Sequence, residues 1–162
     1  MKTLLIMRHG KSSWKDTSLV DHQRPLKKRG RKNAAQIGKL LAEKQLVPAL
    51  ILSSSAERAK QTAEILIDKM GFDGEVAYLD DLYMAEPETF YAYLRKLPDV
   101  DTAMIIGHNP GLETLLQILT DEINSLPTAA TAQVKLNIDA WNALNFETTG
   151  KLKNLWLPRS LD

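Results

Sequence analysis

Arg8-His9-Gly10-Lys11 sets two cations, an imidazole and a glycine directly after the apolar run Thr3–Met7. A second polar cluster, Ser53-Ser54-Ser55, follows Leu50-Ile51-Leu52 and leads to Arg58. A third, Gly107-His108-Asn109-Pro110-Gly111, follows Thr102–Ile106. The chain has three histidines, and two of them close apolar runs; the other, His22, lies in a polar stretch. Two arginines and two histidines are the parts of a phosphoryl-transfer site. A phosphoryl group spreads negative charge over its oxygens, and arginine offers a planar fork of donors that stays ionised at working pH. A neutral imidazole nitrogen can attack phosphorus and form a phosphoramidate, splitting one hard displacement into two easier ones. A second, protonated histidine can stabilise the charge that develops. Gly10 allows a tight turn that carries a backbone N–H toward the phosphate. Such a set needs no metal and no cofactor. Each cluster alone reads as well as a turn or a solvated helix residue; their joint occurrence carries the inference.

The elements that must position these residues follow from periodicity. Thr3–Met7 reads as a buried strand and Ser12–Gln23 as a loop. Pro25 opens a helical pattern with Ala34, Ile37, Leu40 and Leu41 on one face and Lys and Arg on the other. Leu50–Leu52 is a second strand, whose serines can cap the next helix. That helix carries Ala59, Thr62, Ala63, Leu66 and Ile67 and stops near Gly71. Val76–Leu79 is a third strand. Pro87 starts a helix with Phe90, Leu94 and Leu97 on one face. Thr102–Ile106 is a fourth strand, followed by a helix through Leu115, Leu116 and Leu119. This alternation predicts an α/β fold with a mainly parallel sheet. Its ligand would lie outside the carboxyl ends of the strands, where the three clusters meet. In Thr131–Ile138, Ala132, Val134, Leu136 and Ile138 alternate with other residues, as in a half-buried strand. With Lys151–Leu157, anchored by Trp156, it reads as a hairpin-like pair on the sheet edge.

Composition narrows the field. At 162 residues, 44% apolar and 25% charged, the chain suits one globular domain spanning residues 1–162. A net charge of +1 gives no sign of a nucleic-acid or membrane-surface binder. The absence of cysteine removes disulfides, thiolate metal sites and cysteine-nucleophile phosphatases. The N-terminal apolar run is too short for a signal peptide or a membrane span, so a cytoplasmic location is expected. No phosphate-loop, dinucleotide or nucleophile-elbow motif occurs.

The clusters resemble a known family. Leu5-Ile6-Met7-Arg8-His9-Gly10 is similar to the Arg-His-Gly signature of the histidine phosphatase superfamily, which has the phosphoglycerate-mutase-like fold. Ser53 to Ala63 resembles its Ser-x-x-x-Arg-Ala-x-x-Thr-Ala segment, and Ile106 to Gly111 its second-histidine segment. Asp21-His22-Gln23-Arg24-Pro25-Leu26, with Arg29-Gly30, is similar to the lead into the first long helix. The short length and the His-Asn-Pro-Gly form point to the SixA-type branch, described as phosphohistidine phosphatases. The resemblance implies a three-layer sandwich with helices on both sheet faces. It also implies His9 as nucleophile, Arg8 and Arg58 as phosphate clamps, and His108 as a further contact and stabiliser. Gly10, Lys11, Ser12, Ser13, Lys15 and Asn109 are candidate secondary contacts. The substrate would be a phosphohistidine protein or a small phosphorylated molecule.

Cleaving a phosphate ester normally requires an acid for the leaving alkoxide. Many members of the superfamily carry that acid just after the third strand. Here no glutamate stands at the expected position; Asp81 is the nearest match, with Asp80 and Glu86 as alternatives, or all are turn carboxylates. A missing acid fits a phosphoramidate substrate, because imidazole leaves more readily than an alkoxide. The basic run Arg24–Lys32 reads as the solvated face of a helix that also rims the pocket. Trp14 is expected to be exposed and to touch substrate, and Trp141 and Trp156 to anchor core or edge.

Overall fold

The computed structural model describes residues 1–161. Strand β1 (Lys2–Arg8) is apolar on both sides, the mark of a strand covered on both faces. Leu4 and Ile6 enter one core, Leu5 and Met7 the other, and none is accessible to solvent. The remaining strands are β2 (Leu50–Ser54), β3 (Glu75–Leu79), β4 (Thr102–Gly107), β5 (Thr131–Leu136) and β6 (Gly150–Trp156). They form one sheet in the order β3-β2-β4-β1-β5-β6. The first four are parallel; β5 and β6 run antiparallel at one edge. Helices α1 (Lys28–Glu43) and α2 (Glu57–Met70) cover one face through Ile37, Leu41, Ala63 and Leu66. Helices α3 (Pro87–Leu94) and α4 (Gly111–Thr120) cover the other through Phe90, Leu94, Leu115 and Leu119. The result is the expected α/β three-layer sandwich. No helix among the described residues is long and apolar enough to cross a membrane.

Several boundaries differ from the sequence reading. Helix α1 begins at Lys28 and not at Pro25. Ser12 pairs with Leu26 in an isolated antiparallel bridge, the Lys27 N–H donates to the Lys11 carbonyl, and the Leu26 N–H donates to Gln61. These bonds hold residues 25–27 extended. The loop 12–23 is likewise tied at Ser12 and contains a 3-10 turn, Asp21–Gln23. Helix α3 ends at Leu94, so Leu97 lies beyond it, half-buried against the core. Leu97 precedes Pro98, which disfavours a helical residue there. Strand β5 ends at Leu136, although Ile138 remains buried. No serine caps α2: its N-cap is Ala56, whose N–H donates to Ser54 Oγ.

Register brings the strand ends level. Arg8 pairs with Gly107 and Ser53 with Ile106, so the three polar clusters emerge side by side. The backbone continues this match past β1, where the His9 N–H donates to the Gly107 carbonyl at 3.1 Å.

Candidate active site

Four side chains converge at the carboxyl ends of β1, β2 and β4. Arg8 is the last residue of β1 and His9 follows it. Arg58 stands in the first turn of α2, and His108 directly follows β4. The imidazole rings of His9 and His108 lie 5.0 Å apart. His9, Arg58 and His108 are 6%, 4% and 2% exposed, so the site is built into the fold.

The hydrogen bonds assign the histidine tautomers. His9 Nδ1 lies 2.7 Å from the Gly10 carbonyl oxygen. A carbonyl can only accept, so Nδ1 carries the proton and Nε2 presents its lone pair. Arg58 Nε donates toward that Nε2 at 3.3 Å. His108 Nδ1 faces Arg58 Nη2 at 3.5 Å, and its Nε2 lies 2.8 Å from Ser54 Oγ. A guanidinium only donates, so the His108 proton sits on Nε2.

Both imidazoles are held neutral. Burial pushes the His9 pKa down to about 4, and the charges of Arg58, Arg8 and Arg24 push the same way against the Gly10 carbonyl. Burial pushes His108 down to about 3, helped by His9, Arg58 and Arg8 and opposed by Asp21. Neighbouring cations and burial both disfavour the His108 imidazolium that the sequence reading assigned to charge stabilisation.

Gly10 also differs from expectation. Its N–H donates to Thr62 Oγ1 at 3.0 Å and not into the cleft, while Thr62 Oγ1 donates to the Arg58 carbonyl. The glycine is required for a close approach: a Cβ there would lie 2.8 Å from the Gly30 carbonyl oxygen. This contact locks the turn after β1 against the start of α1.

The cleft encloses about 250 Å³. Lys11, Ser12, Trp14 and Asn109 line it alongside the four central residues, as do Arg24, from the basic run expected at the rim, and Met84 and Thr128, which the sequence reading did not place there. Ser13 and Lys15 do not line it; the Lys15 N–H donates to Ser13 Oγ on the exposed loop. Arg24 is 6% exposed, which corrects its assignment to a solvated helix face. It donates to Asp21 Oδ1 at 2.8 Å, to the Ser13 carbonyl at 3.2 Å and to Ser12 Oγ. A sequence signal for this was present: a residue before proline is steered away from helical backbone, so Arg24 could not belong to the helix.

Asp21 joins the cations. Its carboxylate accepts from Arg24, from Arg58 Nη2 at 3.0 Å and from the Tyr83 hydroxyl, and its carbonyl accepts from Arg58 Nη1 at 2.8 Å. The Tyr83 hydroxyl, with Arg24 and Arg58, holds its pKa well below the usual carboxylate range, against the effect of burial. Tyr83 also packs edge-on against the His108 ring, 5.4 Å away. Aspartate at position 21 was visible within a matching segment, but nothing local marked it as the clamp of two arginines.

None of the candidate acids lines the cleft. Asp80 accepts from Ser55, Asp81 accepts from the Tyr93 hydroxyl at 2.5 Å, and Glu86 is the N-cap residue of α3. Met84 occupies the cleft-facing position of this stretch. Among the described residues, the cleft lining contains no carboxylate. Two buried polar atoms next to it, Arg8 Nε and Asn109 Oδ1, have no protein partner.

Residues 4–83 match the model of the histidine phosphatase superfamily (branch 1). An uncharacterized chloroplastic protein of Arabidopsis thaliana is 32% identical over 98% of this chain and 79% of its own length. A candidate SixA phosphohistidine phosphatase from Agrobacterium tumefaciens superposes with a TM-score of 0.84 at 26% identity, covering 97% of this chain and 98% of its own. The protein histidine phosphatase SixA in complex with tungstate gives a TM-score of 0.84 at 23% identity, covering 99% of each chain, a likeness of fold.

Proposed function

The chain belongs to the histidine phosphatase superfamily and is SixA-like in fold; from that premise we propose that it is a phosphatase that dephosphorylates phosphohistidine on a cytoplasmic phosphotransfer protein. The observation that carries this reading is a neutral His9, its Nε2 lone pair beside arginine donors, in a cleft whose described lining holds no carboxylate. A phosphatase needs the first feature, and a phosphoramidate substrate tolerates the second.

In the proposed reaction, His9 Nε2 attacks phosphorus as the P–N bond to the substrate imidazole breaks. The substrate ring, protonated on its distal nitrogen, takes the bonding pair and leaves neutral, so it needs no acid from the protein. Arg8 and Arg58 hold the phosphoryl oxygens, and Arg24 adds charge at the rim. His108 donates to a phosphoryl oxygen once the bound dianion offsets the surrounding cations and raises its pKa. Water then attacks phosphorus, the P–Nε2 bond breaks, and both water protons remain on the phosphate. His9 returns to its starting tautomer because Nδ1–H stays bonded to the Gly10 carbonyl. An alkyl phosphate ester has no such self-sufficient leaving group, so its turnover is expected to be slow.

Metal-stripped protein is incubated with a phosphohistidine peptide and with a phosphoserine peptide of the same sequence, as wild type and as His9→Ala. Wild type is expected to release phosphate far faster from phosphohistidine, and the variant to lose at least about 10³-fold. Equal turnover of phosphoserine would replace the substrate reading with an ester phosphatase. Turnover of neither peptide, with His9→Ala binding phosphate as wild type does, would leave a phosphate-binding module.

A further inference from the structure

Trp14 and Met84 are exposed, apolar and yet part of the cleft that holds His9. Trp14 is 73% exposed, an unusual state for an indole on a protein surface. One ring face is covered: the Arg24 guanidinium lies 3.3 Å from the ring centroid. That guanidinium is itself fixed by Asp21, Ser12 and the Ser13 carbonyl. The indole is thus mounted on a clamped cation while most of its surface stays open. Met84 is 50% exposed and sits in the left-handed backbone region, with φ 52°. A non-glycine residue is held in that region only where its surroundings require it. Trp14 comes from the loop after β1 and Met84 from the stretch after β3. These strands lie on opposite sides of β2 and β4, so the two apolar groups approach the cleft from different sides.

We infer that Trp14, with Met84 as a second wall, is a specificity-determining residue that stacks on the flat ring of the leaving group. The inference rests on the phosphohistidine reading and deepens it: the cleft selects for an aromatic ring beyond the P–N bond, not for the P–N bond alone. In-line attack by His9 sends the departing group to the side of phosphorus opposite Nε2, and Trp14 and Met84 are the exposed apolar side chains that line the cleft. An imidazole ring presents a π-face that an indole and a thioether both accommodate. A serine or a bare amine presents none. Lys11, the remaining cation of the rim, supplies charge but no face.

The test compares a phosphohistidine peptide with phosphoramidate, which has the same P–N bond and no ring. For Trp14→Ala, the ratio of kcat/KM on the peptide to kcat/KM on phosphoramidate is expected to fall about tenfold, mainly through KM, and Trp14→Phe to restore most of it. An equal loss on both substrates would overturn the inference, since Trp14 would then act only by supporting Arg24. No loss on either substrate would overturn it as well. A wild type inactive on both P–N substrates would remove the phosphohistidine reading itself, a result distinct from either.

Discussion

The two ends of β1 each carry a cation drawn into the fold, Lys2 buried and Arg8 half-buried, and the fold treats them in opposite ways. At the amino end, the Lys2 side chain is 3% exposed and its Nζ lies 2.6 Å from Asp99 and 3.8 Å from Asp101. The protein's own carboxylates neutralise it. At the carboxyl end, Arg8 donates to the Leu126 carbonyl but leaves Nε without a protein partner. Burial and the charge of Arg58 lower its pKa, with Glu113 opposing. Arg58 and Arg24 share the single carboxylate of Asp21. A buried charge needs a counter-charge and hydrogen bonds to be tolerated. The amino end has them within the fold. The carboxyl end leaves part of that requirement to an anion from outside, which turns stored electrostatic cost into affinity for phosphate.

This contrast is tested most severely at Asp21, the carboxylate that Arg58 and Arg24 share. Asp21→Asn keeps the shape but frees Arg58 and Arg24 from their ion pairs. A small displacement of a positioned group costs about 10²-fold, so kcat is expected to fall by about that factor. The Tm falls as well, because two buried arginines lose their shared carboxylate, so the kinetics are read below the transition of a thermal melt, where the loss in kcat persists in folded protein.

A bound anion should stabilise the carboxyl end and leave the amino end indifferent. At phosphate 100 times above its Kd the gain is about 2.7 kcal/mol, a Tm rise of about 5–10 °C for a chain of this size. In Arg8→Gln the rise should shrink sharply, and a rise as large as wild type would contradict the role given to this end. The same end governs acid sensitivity. The folded pKa values of His9 and His108 are about 4 and about 3, below the unfolded value of about 6.5. Between those limits the unfolded chain binds more protons, so stability falls as pH drops below about 6.5 and is flat above it with respect to these groups. The Tm measured from pH 7 to 4.5 should therefore decline less steeply in His108→Gln than in wild type.

The smallest effect belongs to the amino end. Lys2→Met leaves two exposed carboxylates to water, and the Tm is expected to fall by no more than about 2–4 °C. Phosphatase activity should stay within about twofold of wild type, because Lys2 lies at the far end of the strand. A larger loss of activity would mean that the two ends of β1 are coupled.

What the sequence determined by itself was whatever depends on local order. Leu4 to Met7 is apolar without interruption, so a strand buried on both faces follows from it alone. Arg8-His9-Gly10 and Gly107-His108-Asn109 stand directly after such strands, and chain connectivity forces them to the same sheet edge once the strands are parallel. The alternating Ala132, Val134 and Leu136 likewise announced a strand with unequal faces, and β5 lies beside β6 at the antiparallel edge. The tertiary structure alone decided what depends on meetings between distant segments. Arg24 became a cleft residue through Asp21, Ser12 and Trp14. Gly10 turned its N–H to Thr62, not to the cleft, and packs closely against Gly30 of α1. The carboxylates after β3 found partners in Ser55 and Tyr93, and Met84 took the cleft position instead. The charge state of His108 is the clearest case. It is set by burial and by Arg58 and Arg8 from two other segments, and no stretch of sequence around residue 108 contains that information.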